Sequence, residues 1–240
     1  MLGVVSPHFL WAGDPSVQLY VAKVNNKVYV VHGGKKHKAV VPEPLSETDR
    51  IVTGVSSQAY LQFQNASLLE VGPNSDVKVS QLDTEKKDFK AKFLLAFGKL
   101  KAKVQKLATS SSSFEIEAGG VVAGVRGTVF GVDYDKAKNA VQAQTFEGSI
   151  FTLVGGKEEI VQKGLSLLVG KTGLPVQSPL TQEAISDFKD FNNVSGLLEK
   201  KKQELMNQMK QKAGDKVREK IGQDKEDLIK KVVDPSKLGF

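Results

Sequence analysis

The stretch Gly119 to Val132, Gly-Gly-Val-Val-Ala-Gly-Val-Arg-Gly-Thr-Val-Phe-Gly-Val, constrains the fold most. It interleaves five glycines with aliphatic residues and carries a single charge, Arg126. Such a run suits buried β-structure in which backbones pass close together, because glycine has no Cβ and accepts tight bends. From Thr128 the alternation is regular: Thr128, Phe130, Val132 and Tyr134 face one way, and Val129, Gly131 and Asp133 the other. A lone arginine among hydrophobic residues needs carboxylate or carbonyl partners, so Arg126 is expected to be a shielded guanidinium pinning a turn.

Turn signals recur across the middle of the chain at strand-like intervals. Val17 to His32 reads as two strands around the polar turn Asn25-Asn26. Ala59, Leu61 and Phe63 alternate with Tyr60 and Gln62, and short apolar runs follow at 68–71 and 77–79. After Asp133-Tyr134-Asp135, the wet end of a strand, segments at 140–146, 149–154, 158–162 and 165–169 are divided by Glu147-Gly148, Gly155-Gly156 and Lys163-Gly164. Lys86 to Leu107 fits two patterns. Phe89, Phe93, Phe97, Leu100, Val104 and Leu107 make a helical stripe, whereas Leu100, Ala102 and Val104 alternate with Lys99, Lys101 and Lys103 as in a strand. Gly98 falls mid-segment and weighs against the helix, so strand is expected.

These segments predict a mainly β fold, a twisted solenoid-like or sandwich-like all-β domain over 17–178, followed by an α-helical, Lys-rich C-terminal extension over 181–240. Thr181 is the expected cap of that helix. Phe188, Phe191, Leu198, Leu205 and Met209 begin its apolar stripe, and Val217, Ile221, Leu228 and Val232 extend it. From Leu197 onward twelve Lys and Arg face eight Asp and Glu. That tail suits packing on the β-domain, homo-oligomerisation through 183–233, or contact with a lipid surface. Residues 1–16 form an N-terminal tail that reads equally as a signal-peptide remnant or an ordinary terminus.

The chain has no cysteine, which excludes disulfides, thiolate catalysis and zinc-thiolate sites. His32 and His37 lack acidic neighbours at ligand spacing, and the serines lack a nucleophile signature, so no enzyme activity, metal or cofactor is expected. The net charge of +7 favours anionic contacts. Lys35, Lys36 and Lys38 in a basic loop and the row Lys99, Lys101, Lys103 are candidate anion-binding residues. Nucleic acid is disfavoured, because aromatics do not interleave with the basic runs. No window is apolar enough for a membrane span.

Val125-Arg126-Gly127-Thr128-Val129-Phe130, followed by Glu147-Gly148, resembles the signature of the FecR family of iron-dicitrate-type envelope sensor regulators. Asp49 to Gly54, Tyr60 to Phe63 and Val71 to Ser75 fit the same family, in the same order, within a resemblance spanning 17–170. It marks Arg126, Gly127, Thr128, Phe130, Glu147 and Gly148 as a structural motif. It also implies a bacterial, periplasmic or secreted protein that senses, signals or scaffolds in the cell envelope through a protein partner. A cytoplasmic helical domain of the sigma-factor-binding kind is not read in this sequence, so direct sigma-factor control is not expected. The alternatives are a binding module for anionic envelope polysaccharide, or an oligomeric structural protein assembled through the C-terminal helix.

Overall fold

The computed structural model describes residues 18–83, 88–204, 207 and 211. The expectations for residues 1–16 and for most of the Lys-rich tail lie outside them.

Along the chain the strands are β1 (Leu19–Asn25), β2 (Val28–His32), β3 (Lys35–Lys38), β4 (Glu43–Leu45) and β5 (Arg50–Thr53). Next come β6 (Gln58–Phe63), β7 (Leu68–Val71), β8 (Asp76–Asp83), β9 (Lys90–Lys103) and β10 (Ser113–Ala118). β11 (Val121–Val125), β12 (Val129–Asp135), β13 (Ala140–Glu147) and β14 (Ser149–Val154) follow. β15 (Lys157–Gln162), β16 (Leu165–Val169) and β17 (Pro175–Pro179) complete the set, and helical backbone then runs over 182–204.

The strands form two ladders. Ladder A runs β4-β1-β6-β7-β9-β12-β13-β16-β17. Ladder B runs β3-β2-β5-β8-β9-β10-β11-β14-β15. β9 belongs to both and joins the strands into one network. Its first half pairs with β8 and β10, its second half with β7 and β12. Beyond β9 the chain lays down hairpins alternately: β10-β11 in B, β12-β13 in A, β14-β15 in B and β16-β17 in A. Gly33-Gly34, Gly119-Gly120 and Gly155-Gly156 close hairpins of ladder B with positive φ at both residues, the backbone that two-residue turns demand.

The double wound pattern is sandwich-like and is not a closed solenoid, since among the described residues each ladder ends in open edges, β4 and β17 in A and β3 and β15 in B. β1 and β2, although separated only by Asn26-Lys27, lie in different ladders, so the turn between them is a crossing and not a hairpin.

β9 explains the double pattern of its sequence. Ala91, Phe93 and Leu95 are buried, then Leu100 and Ala102, so the phase of alternation flips between them. The flip falls at Gly98, where φ is +100° and a Cβ would stand 2.2 Å from Ser75 Oγ. Only glycine fits there, and the strand bends from one ladder into the other. Between the ladders lies a core rich in phenylalanine. Phe63 of ladder A meets Phe93 and Phe114 of ladder B edge-on, with ring centroids 6.1 and 6.0 Å apart, and Phe114 meets Phe130 at 6.2 Å. All four rings are fully buried.

Chain contacts divide after Ser195. The first unit holds the sandwich and the start of the helix, where the Thr181 hydroxyl accepts a bond from Ala184 N at 3.2 Å as an N-cap. The second unit begins at Gly196 and is helical through 204.

Candidate functional site: the outer face of ladder A

Side chains that point away from the core on ladder A form one cross-strand row. Register places Lys23 opposite Tyr60, Tyr60 opposite Glu70, Glu70 opposite Lys101, and Lys101 opposite Gly131. The Lys23 ammonium lies 5.4 Å from the centre of the Tyr60 ring. Lys101 Nζ stands 3.4 Å from Glu70 Oε1 and donates to the Asp187 carbonyl of the helix at 3.4 Å. It also lies 5.7 Å from the centre of the Phe188 ring. Phe188 covers Gly131 and stacks on Phe146 of β13. Thus the helix over 182–195 is held by an aromatic knob and a lysine latch.

A cleft of about 620 Å³ opens beside this latch, lined by Tyr60, Glu70, Lys99 and Lys101 from the sheet and by Asp187, Asp190 and Phe191 from the helix. A second cleft, of about 760 Å³, lies by the bend of β9 and reaches Asp133, Tyr134 and Leu168. Pro73, Asn74 and Lys99 line both. Lys99 Nζ sits 3.4 Å from Asp133 Oδ2.

Burial raises the Glu70 carboxyl above its ordinary range, with Lys101 opposing. Burial likewise raises Asp133 against the pull of Lys99. Tyr60 is raised first by burial and then by the Glu70 charge, so its hydroxyl stays protonated at neutral pH. Both ion pairs join neighbouring strands of ladder A, Glu70 of β7 to Lys101 of β9 and Lys99 of β9 to Asp133 of β12, and of these groups Lys101 also reaches the helix, at the Asp187 carbonyl.

The Arg126 motif lies elsewhere and is a joint. Between β11 and β12 the chain crosses from ladder B to A, and between β13 and β14 it crosses back. Gly127 (φ +114°) presses on Lys106, where a Cβ would stand 2.9 Å from its Cα. Gly148 (φ +79°) presses on Thr128, with a Cβ at 2.9 Å from its Oγ1. The Thr128 hydroxyl donates to Ser149 O at 3.0 Å, and Val129 pairs with Glu147. Phe130 anchors the joint in the core. Arg126 itself is exposed and not shielded: its Nη2 donates to the Thr109 carbonyl, and the rest of the guanidinium faces solvent. The expectation of burial fails because Arg126 lies just past β11, in the crossing, where its side chain leaves the core.

The lysine groups fall on different ladders. Lys35, Lys36 and Lys38 are exposed on β3 at the edge of ladder B, a strand where a loop was expected, and Lys99, Lys101 and Lys103 point outward from ladder A. Lys99 and Lys101 are engaged by Asp133 and Glu70. His32 and His37 do have acidic neighbours, which the linear spacing hid: His32 Nδ1 lies 2.8 Å from Asp49 Oδ1 and His37 Nε2 2.6 Å from Glu43 Oε1. No group of three or more His, Asp or Glu is placed to hold a metal among the described residues. The latch was missed as well. Its one signal was a glutamate inside the apolar run Leu68-Leu69-Glu70-Val71.

Residues 49–151 match the FecR family, described as FecR protein. No curated protein matches the chain. Two crystal structures of a candidate anti-sigma factor from Parabacteroides distasonis ATCC 8503 are similar to it, at 8% and 9% identity with TM-scores of 0.49. The alignments cover 58% and 57% of this chain and 63% and 62% of those proteins, so the chain spans about three-fifths of their length. Likeness at that level carries no functional inference.

Proposed function

We propose that this chain, with its FecR domain at residues 49–151, is a non-enzymatic protein of the bacterial envelope that signals by contact with a protein partner. A FecR domain brings a regulatory role; the partner contact and the periplasmic setting are the proposal. One observation carries it. The matched segment supplies Tyr60, Glu70, Lys99, Lys101 and Asp133, and so most of the sheet-side lining of the two clefts. Clefts lined by aromatic and paired charged groups suit a peptide or a helix, as the helix over 182–195 already illustrates. No helix among the described residues is long and apolar enough to cross a membrane.

The test is affinity capture from fractionated cells of the native host at two ionic strengths. A discrete protein retained from the periplasmic fraction at about 500 mM salt supports the reading, because a packed interface survives screening. Retention of anionic polysaccharide alone, released as salt rises, contradicts it and favours the polymer-binding alternative. Recovery of the chain solely from the cytoplasm also contradicts it.

A further inference from the structure

The two free edges of ladder B are opposite in charge. β3 is Lys35-Lys36-His37-Lys38, exposed along its whole length; among the described residues it pairs as a strand only with β2, while the His37 side chain reaches Glu43 of β4. β15 is Lys157-Glu158-Glu159-Ile160-Val161-Gln162 and pairs only with β14. Inside the ladder, opposite charges already meet across neighbouring strands. Arg50 forks onto Asp76, and Lys92 Nζ sits 2.7 Å from Glu117 Oε2. At the edges that pairing stops. Lys35, Lys36 and Lys38 make no ion pair among the described residues, and neither do Glu158 and Glu159, although Lys36 does lie over the Tyr29 ring.

We infer that the chain associates with itself head to tail, with β3 of one copy continuing ladder B from β15 of the next. Register makes the match two-faced. Lys36 and Lys38 share the outer face with Val31 and Tyr29, as Glu158 and Ile160 share it with Leu153 and Phe151. Lys35 lies on the opposite face of its strand, as does Glu159. The carbonyls of Glu159, Ile160 and Val161 already accept bonds from Thr152 Oγ1, Gln177 Nε2 and Thr145 Oγ1, so the part of β15 left for a new strand is its start at Lys157-Glu158.

Outside the edge, Phe151, Leu153 and Ile160 are 50%, 43% and 47% exposed, a surface that lysine stems from β3 of the next copy would cover. Like edges repel, since two β3 strands would oppose lysines and two β15 strands would oppose glutamates. Only the unlike pairing is attractive, and a pairing of unlike surfaces is head to tail, closing into a ring only where the rotation between copies allows it. So short an edge gives weak association, with Kd on the order of 100 μM at low salt.

Sedimentation velocity on the full chain tests this. The proteins are wild type, K36E/K38E, E158K/E159K and an equimolar mixture of the two variants, from about 10 to about 500 μM. Wild type is expected to associate with rising concentration and to do so about tenfold more weakly at about 500 mM salt than at about 50 mM. Each variant alone is expected to stay monomeric, and the mixture to associate again, because reversal of both edges restores complementarity. The substituted side chains are solvent-exposed or nearly so, and recovery in the mixture excludes misfolding. Three results would overturn the inference: a monomeric wild type throughout, association untouched by either variant, or a mixture that stays monomeric.

Discussion

Phe188 packs directly over Gly131: a Cβ built on Gly131 would stand 3.4 Å from Phe188 Cζ, in contact with the ring, so any larger side chain would meet it. The start of the helix therefore docks on ladder A over a glycine. Truncation to Phe188→Ala should weaken that docking by about 3 kcal/mol, the usual cost of emptying a buried aromatic site. Hydrogen exchange checks it. Amides over 182–195 should exchange faster while those of β9 and β12 stay protected, as expected of a local opening. Gly131→Val should give the same pattern by meeting the ring.

Gly98 is irreplaceable for a different reason. Its φ of +100° and the 2.5 Å approach of a virtual Cβ to Ser75 Cα leave no room for alanine without backbone movement. Gly98→Ala should cost about 3 kcal/mol or more. Gly120→Ala, with φ +82° but open space around it, should cost about 1 kcal/mol. Denaturant melts of the two variants give the comparison, and equal losses would contradict the role of the bend.

The latch carries a pH signature. Glu70 is raised by burial, so the unfolded chain ionises at lower pH than the folded one. Its contribution is complete below the unfolded value near 4.5 and is lost as pH rises through the folded value. Glu70→Gln should flatten the fall in Tm above about pH 4.5, and Lys101→Met, which removes the opposing attraction, should steepen it. At neutral pH Lys101→Met should cost about 3 kcal/mol, because Glu70 is left buried without its cation. Melting curves of the three proteins across pH test this, and parallel profiles would contradict it.

Arg126→Ala should lower stability by about 1 kcal/mol at most, since it removes one solvent-exposed bond to a carbonyl. Gly127→Ala should be worse, given φ of +114° and the contact with Lys106. Thermal melts that rank the two in the opposite order would contradict the reading of this segment as a backbone joint.

These contrasts explain what the sequence made legible. The alternation along 59–63 and 128–134, with glycine pairs at regular intervals, sufficed for a mainly β fold. The order of Asp49-Arg50 and Val125-Arg126-Gly127-Thr128 sufficed for the FecR resemblance. Lys86 to Leu107 looked half helical because a phase flip at Gly98 turns a period of two into spacings of three and four. The fate of Arg126 was hidden because a charge in an apolar run gives no sign of whether it sits within a strand or just past its end. The latch and the histidine partners were hidden for a plainer reason. Glu70 meets Lys101, and His32 meets Asp49, only once distant strands are in register.

The central claim, that the segment matching the FecR family works by protein contact on the outer face of ladder A, is tested most directly by a photo-crosslinking amino acid at position 99. Lys99 lines both clefts, and its side chain is 58% exposed. Irradiated in living cells of the native host, it should yield one discrete adduct with a second protein, retained under about 500 mM salt. Adducts only with cell-envelope polymer, or none beyond the chain itself, would contradict the account.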